Sequence, residues 1–243
     1  MKILLQEKNK LIQILEPLDG QYQVQVIGAG TGDYTLQSNF YDTQGQVNFQ
    51  QFQSETAPGY IAQYNLSFDS LNSASTTVEL FDEIPPEAEI FLDSNTQQLE
   101  IKGMDNTTVH PIVSVDQNDK EIIYQIQDEA GNTTKLYFEK IKKEGKEIKA
   151  ELEAIQYNNE PIIELPEVEL KYEWSLNKDG IIKESEQKIK TKDQFDIKAK
   201  YNHEKNETKI KIKLQNQEEQ KQTLSGIKII KLITRSGVLE FEF

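Results

Sequence analysis

Alternation of apolar and polar side chains with a period of two runs through most of this 243-residue chain. The pattern is clearest over residues 22–27 and 60–68, and over 209–214, where isoleucine and leucine alternate with lysine. Successive side chains of a β-strand point to opposite faces, so these segments predict strands with one buried face and one solvated face. Turn residues such as Asp19-Gly20 and Pro58-Gly59 separate them. We therefore predict an all-β protein of antiparallel strands.

Composition and prolines divide the chain into three predicted parts. Residues 1–77 are expected to form a first β-sandwich module. A second module, 78–141, includes the adjacent Pro85 and Pro86, which lack an N–H to donate and favour a strand edge or a domain junction. Residues 142–243 are rich in lysine and glutamate and are expected to form a third antiparallel β region. The predicted fold is thus a row of tandem antiparallel β-sandwich modules with a β-rich C-terminal region.

Charge is distributed unevenly along the chain. Residues 1–140 contain 7 lysines and 21 acidic residues, whereas residues 141–243 contain 20 basic and 20 acidic residues. No lysine or arginine occurs from Leu11 to Ile101. An acidic surface repels phosphates and anionic lipids, which argues against a nucleic-acid partner. No apolar run approaches the roughly 18 residues that a membrane-spanning helix needs, so no membrane span is expected.

The start of the chain bears on export. Only three apolar residues follow one another before charge returns, which is too few for the apolar core of a signal peptide. If the protein is exported, we expect this chain to be a piece of a longer precursor.

Residues typical of catalytic machinery are scarce. The chain has no cysteine, no G-x-S-x-G motif and two histidines, His110 and His203, so neither a zinc site nor a serine–histidine triad is indicated. The run Gly28-Ala-Gly-Thr-Gly32 precedes a predicted strand rather than a helix, which favours a hairpin over a dinucleotide-binding loop. We expect a protein that is not an enzyme and has no organic cofactor, although 41 acidic residues leave a carboxylate-based hydrolase open.

No cofactor is expected, and calcium is the one that the sequence leaves open. Hard oxygen donors occur in predicted turns and at the predicted module junction, as Ca²⁺ sites require, but without EF-hand spacing. The candidate ligands are Asp82, Glu83, Asp105 and Asp128.

Two segments resemble known bacterial families, together covering residues 20–138. The glycine- and tyrosine-punctuated alternation over 20–36 resembles the last hairpin of pre-peptidase C-terminal-type sandwiches, which follow the catalytic domains of secreted hydrolases. The opening Asp82-x-x-Pro85-Pro86 and the closing Asp128-x-Ala-Gly-Asn132 resemble bacterial immunoglobulin-like repeats. These resemblances imply an extracytoplasmic protein, either secreted or attached to the cell surface.

The expected function is therefore that of a non-catalytic accessory, binding or spacer region of a bacterial surface or secreted protein, with a protein or carbohydrate partner. Aromatic side chains of the first module are candidates for stacking on sugars. Two alternatives remain: the C-terminal part of a lipase- or peptidase-like secreted hydrolase whose catalytic domain lies upstream, and a structural subunit of a surface layer or filament. The aromatic candidates are Tyr22, Tyr34, Tyr41, Phe49, Phe52, Tyr60 and Tyr64.

Overall fold

A computed structural model describes residues 2–5, 10–93, 96–118, 121–192, 194–215, 217–235 and 238–242. The described residues form twenty β-strands, all paired in antiparallel sheets, and a single turn of 3-10 helix. The prediction of an all-β antiparallel fold is confirmed. Contacts divide the chain into two units: Met1–Glu83 with Asn106–Val109, and Ile84–Asp105 with His110–Phe243.

The first unit contains seven strands in three sheets. β1 and β2 form a two-stranded sheet, β4 and β5 form another, and β3, β6 and β7 form a three-stranded sheet in the order β3-β6-β7. The turn of 3-10 helix, Ser73–Ser75, lies between β6 and β7. The strands are β1 (Lys2–Leu5), β2 (Lys10–Gln13), β3 (Gly20–Ile27), β4 (Gly32–Tyr41), β5 (Val47–Thr56), β6 (Ile61–Phe68) and β7 (Thr77–Phe81).

The glycine-rich segment between β3 and β4 is a link between two sheets. A strand follows it, as expected, but β3 pairs with β6 and β4 pairs with β5, so the predicted hairpin is wrong. Period-two patterning predicts each strand without specifying its partner, which is why adjacent strands were assumed to pair. Gly28 is required by close packing: its N–H donates to the Tyr60 carbonyl at 2.8 Å, and a Cβ there would overlap the Ala57 carbonyl oxygen and the Thr56 hydroxyl.

One core joins the three-stranded sheet and the β4–β5 sheet of the first unit. Tyr64 and Val78 are buried on the inner face of the three-stranded sheet. Tyr34 and Phe52 from the β4–β5 sheet pack against them, and the Tyr34 and Tyr64 hydroxyls share a hydrogen bond of 2.7 Å. Apolar packing and a satisfied pair of phenols hold these two sheets together.

The second unit contains two sheets. A nine-stranded sheet has its strands in chain order from β10 to β18, and a four-stranded sheet has the order β20-β19-β8-β9. The strands are β8 (Glu87–Asp93), β9 (Gln98–Met104), β10 (Ile112–Gln117), β11 (Ile122–Gln127), β12 (Thr133–Glu144), β13 (Glu147–Tyr157), β14 (Ile163–Leu176), β15 (Ile182–Thr191), β16 (Phe195–Asn202), β17 (Glu207–Leu214), β18 (Gln220–Ser225), β19 (Lys231–Arg235) and β20 (Val238–Glu242).

The apolar faces of these two sheets share the core of the second unit. The nine-stranded sheet contributes Leu136, Phe138 and Tyr172, all fully buried, and the four-stranded sheet contributes Ile90 and Leu232. Burying apolar side chains stabilises the unit by about 25 cal/mol for each Å² removed from water. The outer face of the nine-stranded sheet stays solvated and, from β13 onward, is dominated by lysine and glutamate.

The composition change near residue 141 falls inside one strand. A module boundary was predicted there, but β12 runs from Thr133 to Glu144 without a break in chain direction and pairs with β13 along that length, with register shifts at Phe138. The lysine- and glutamate-rich segments after this point supply the solvated face of the sheet, because charged residues occupy every second position. At the C-terminal end of the described chain, β19 and β20 pair antiparallel.

The described residues include no helix that is both long enough and apolar enough to cross a membrane.

Candidate functional site

The outer face of the β4–β5 sheet displays exposed aromatic side chains. Along β4 and β5 every second residue points inward, which leaves the intervening residues in solvent. Tyr41 is 63% exposed, Phe49 is 54% exposed and Val47 is 51% exposed. We call this surface the aromatic face and define it by Gln37, Asn39, Tyr41, Val47, Phe49 and Gln51.

Strand register places the members of the aromatic face side by side. Tyr41 lies directly opposite Val47, and Asn39 lies directly opposite Phe49. Tyr41 and Phe49 are therefore diagonal neighbours, at about 7–8 Å in an antiparallel pair. The next pair along the strands, Gln37 and Gln51, is joined by a hydrogen bond of 3.1 Å between the two side-chain amides.

The chemistry of this face suits an uncharged polar ligand. Tyrosine and phenylalanine rings present flat apolar surfaces, and a tyrosine also carries a hydroxyl that can donate or accept. Side-chain amides offer both donors and acceptors, as sugar hydroxyls require. The segment from Leu11 to Ile101 has no lysine or arginine, so no cation is available on this face to bind an anion.

The other predicted aromatic candidates have structural roles. Tyr34, Phe52 and Tyr64 belong to the core of the first unit. Tyr22 is half-buried and its hydroxyl donates to the Leu18 carbonyl at 2.7 Å, and Tyr60 is half-buried. Tyr41 and Phe49 are thus the two candidates that the structure leaves exposed.

Two of the predicted calcium ligands approach each other within the second unit. Carboxylate oxygens of Asp105 and Asp128 lie within 4.8 Å of one another. Asp128 is only 6% exposed and closes the turn between β11 and β12: its carboxylate accepts from the Asn132 backbone N–H and from the Asn132 side-chain amide, both at 2.8 Å. Two neighbouring carboxylates repel each other, and a divalent cation with oxygen ligands would relieve that repulsion.

The remaining two predicted ligands belong to the first unit. Asp82 follows β7, is half-buried, and accepts a hydrogen bond from the Thr107 hydroxyl. Glu83 is exposed and lies outside the group of clustered carboxylates. Calcium binding stays a prediction, and Glu83 has the least support among its four candidates.

The described carboxyl groups bear on the hydrolase alternative. A glycosidase general acid needs a pKa well above the ordinary carboxyl range. Hydrogen bonds from the Lys171 side chain lower the pKa of Glu147 to about 2, and those from Lys200 lower the pKa of Glu184. The pKa values of Asp42, Asp69 and Glu219 are lowered as well.

The two histidines occupy different environments. His110 is exposed, in the segment before β10. The His203 ring packs edge-on against Tyr201 with centroids 4.4 Å apart, and its Nε2 is buried without a hydrogen-bond partner among the described residues. Burial lowers the pKa of His203. For His203 these are the properties of a packed side chain beside a turn.

Sequence reasoning named Tyr41 and Phe49 but missed their polar neighbours Gln37, Asn39 and Gln51. A signal for these residues was present, because they have the same parity as Tyr41 and Phe49 in two alternating segments. Assigning a face to each segment would have grouped all five residues.

No protein-family model, curated protein or solved structure matches this chain.

Proposed function

We propose that this chain is a non-catalytic accessory region of a secreted or cell-surface bacterial protein, and that it binds carbohydrate through the aromatic face. The observation that supports this most directly is the pair Tyr41 and Phe49, each more than half exposed and diagonal to one another. Large aromatic side chains in an antiparallel sheet normally turn toward the core, as Tyr34 and Phe52 do here.

The ligand expected at this face is a neutral glycan. Stacked rings recognise the apolar face of a sugar, and the amides of Gln37, Asn39 and Gln51 lie within the same sheet surface to meet its hydroxyls. The open outer face of two strands accommodates a chain of sugars better than a small molecule, which would need a concave pocket. The resemblances to modules of secreted hydrolases and surface proteins support an extracytoplasmic location within this proposal.

A screen for binding and hydrolysis tests the proposal. The purified chain would be incubated with insoluble cellulose, chitin and peptidoglycan, and the fraction sedimented with each would be measured. The same chain would be assayed for release of sugars and for ester cleavage. We expect sedimentation with at least one polysaccharide and no product release.

Turnover by this chain alone would replace the accessory role with the hydrolase alternative. Regular assemblies of the free protein in electron micrographs, without glycan binding, would instead support a structural subunit.

A further inference from the structure

Lysines are aligned in register across the outer face of the nine-stranded sheet. On β12, β13 and β14, Lys142 is opposite Lys149, which is opposite Lys171. The row continues directly across the next four strands. Its remaining members, each paired in register with the one before, are Lys188 on β15, Lys198 on β16, Lys211 on β17 and Lys221 on β18.

This alignment is costly for the sheet unless the charge is compensated. Neighbouring strands lie about 4.8 Å apart, and like charges directly opposite each other destabilise a sheet. In the first half of the row the compensation is present. The Lys171 ammonium lies 2.9 Å from a Glu147 carboxylate oxygen and 2.5 Å from one of Glu173, and Lys149 lies 3.4 Å from Glu147.

In the second half of the row the compensation has a gap at Lys211. Lys198 pairs with Glu186 at 2.6 Å and Lys221 pairs with Glu219 at 2.8 Å. Lys211 lies between Lys198 and Lys221, and Lys209 and Lys213 precede and follow it on the same face of β17. All three lysines of β17 are exposed, and none of them forms an ion pair with a residue that the structure describes. We call this surface the lysine face: Lys198, Lys200, Lys209, Lys211, Lys213 and Lys221.

We propose that the lysine face binds a linear anionic glycopolymer, a chain of sugar or polyol units with a carboxylate or phosphate charge at regular intervals. Although Lys198, Lys200 and Lys221 each have a carboxylate partner, charge complementarity supports this occupant because the face carries ammonium groups on three adjacent strands. Their spacing is about 4.8 Å across the strands and about 6.8 Å along them. Lysine is a point charge without the planar fork of arginine, so it accepts carboxylate and phosphate alike.

A nucleic acid fits this surface less well. Single strands are held by aromatic rings on which bases stack, and the outward residues of β16, β17 and β18 include no aromatic side chain. Reading a duplex requires an element that enters a groove, whereas this surface is an open sheet.

The inference rests on the proposed function only in its setting, an accessory region among surface polymers, since its residues belong to the second unit and the aromatic face belongs to the first. Loss of one binding activity should leave the other intact. A negative result in the glycan screen above would therefore leave the proposal for the lysine face to be tested separately.

The test compares two triple variants of the full chain in a binding titration. The first, Lys209→Gln, Lys211→Gln and Lys213→Gln, removes the three β17 lysines that form no close ion pair with a described residue. The matched control, Lys135→Gln, Lys142→Gln and Lys149→Gln, removes the same charge from strands β12 and β13. Probes would be polygalacturonate, a poly(glycerol phosphate), neutral dextran and single-stranded DNA at low and moderate salt. Thermal unfolding of both variants verifies that each is folded.

We expect the wild type to bind polygalacturonate or the poly(glycerol phosphate), with an affinity that falls as salt rises, and not to bind dextran. The β17 variant should lose at least about tenfold in affinity, and the control should change by less than about twofold. Binding to only one of the two anionic polymers would show whether the ligand's charged group is a carboxylate or a phosphate. No binding to either anionic polymer, equal losses in the two variants, or tighter binding to DNA would overturn the proposal.

Discussion

The side-chain amide of Gln187 donates to the backbone carbonyl of Leu92 at 2.6 Å, joining the nine-stranded sheet to the four-stranded sheet. The same side chain accepts from the backbone N–H of Ile230 at 2.8 Å. Gln187 is only 6% exposed and lies among apolar residues of both sheets. This one amide therefore satisfies two backbone groups that would otherwise be buried without a partner.

Gln187→Leu should destabilise the second unit, because it leaves the Leu92 carbonyl and the Ile230 N–H unpaired in the core. The expected loss in the free energy of unfolding is about 2–3 kcal/mol, measured by urea denaturation. Gln222→Leu makes the same chemical change on β18, opposite Ile210, where the side chain is exposed. This variant should lose little free energy of unfolding. Equal effects from the two variants would remove the bridging role of Gln187.

The ion pairs around Lys171 should give the protein a specific response to acid. Glu147 has its pKa lowered to about 2, mainly by the Lys171 ammonium, so its contribution to stability is complete above pH 4.5 and is lost as pH falls toward 2. Lys171→Met should lower the free energy of unfolding by about 1 kcal/mol at neutral pH, since the group is mostly covered. It should also reduce the slope of stability against pH below 4.5.

Lys192→Met is the matched control for this experiment. Lys192 and its partner Glu167 are 68% and 79% exposed, and their charged atoms lie 3.7 Å apart, so the change should be small at every pH. If Lys171→Met left the slope of stability against pH below 4.5 unchanged, the lowered pKa of Glu147 would not depend on its ion pair with Lys171.

His203 should weaken the fold as pH falls below about 6.5. Burial lowers its pKa in the folded protein, so the unfolded chain binds the proton more readily and stability decreases as pH drops through the ordinary histidine range. His203→Gln should reduce the pH dependence of the free energy of unfolding between pH 7.5 and about 5, measured by denaturant titration at each pH. The His110→Gln variant retains His203 and should keep the wild-type slope. A slope that persists without His203 would contradict this assignment.

Calcium should raise the unfolding temperature if Asp105 and Asp128 share an ion. A ligand that binds only the folded state adds about 2.7 kcal/mol of stability at a hundredfold excess over its dissociation constant. Asp105→Asn should abolish the calcium-dependent part of the shift without altering the turn that Asp128 forms with Asn132. Asp116→Asn, at an exposed carboxylate on β10, should leave it unchanged. A wild-type protein indifferent to millimolar calcium would exclude the site.

The period-two pattern predicted the strands because it follows from backbone geometry alone. Over 209–214 it also predicted which residues face water: Lys209 and Lys211 are exposed and Ile210 is buried. Pairing partners were beyond this reasoning, since β19 joins β8 across more than 130 residues and β3 skips β4 to pair with β6. Which side chains converge depends on those pairings.

In the candidate sites too, the sequence predicted residue types but not which of them lie together. Tyr41 and Phe49 were expected as aromatic candidates, but separating them from the core residues Tyr34 and Tyr64 required the inward and outward faces to be known. The lysine row required the register of seven strands at once. Each of its members looks like an ordinary solvated lysine in the sequence, so the alignment emerges only from the sheet.

Binding to the polysaccharide retained in the sedimentation screen, measured as a depletion isotherm, tests the central claim most directly. Tyr41→Ala with Phe49→Ala should weaken binding by at least about tenfold, which corresponds to about 1.4 kcal/mol. Phe81→Ala removes an aromatic side chain of 39% exposure from β7, in the three-stranded sheet of the same unit, and this variant should bind as the wild type does. Undiminished binding by the double variant, with all three proteins folded, would contradict a carbohydrate site on the aromatic face.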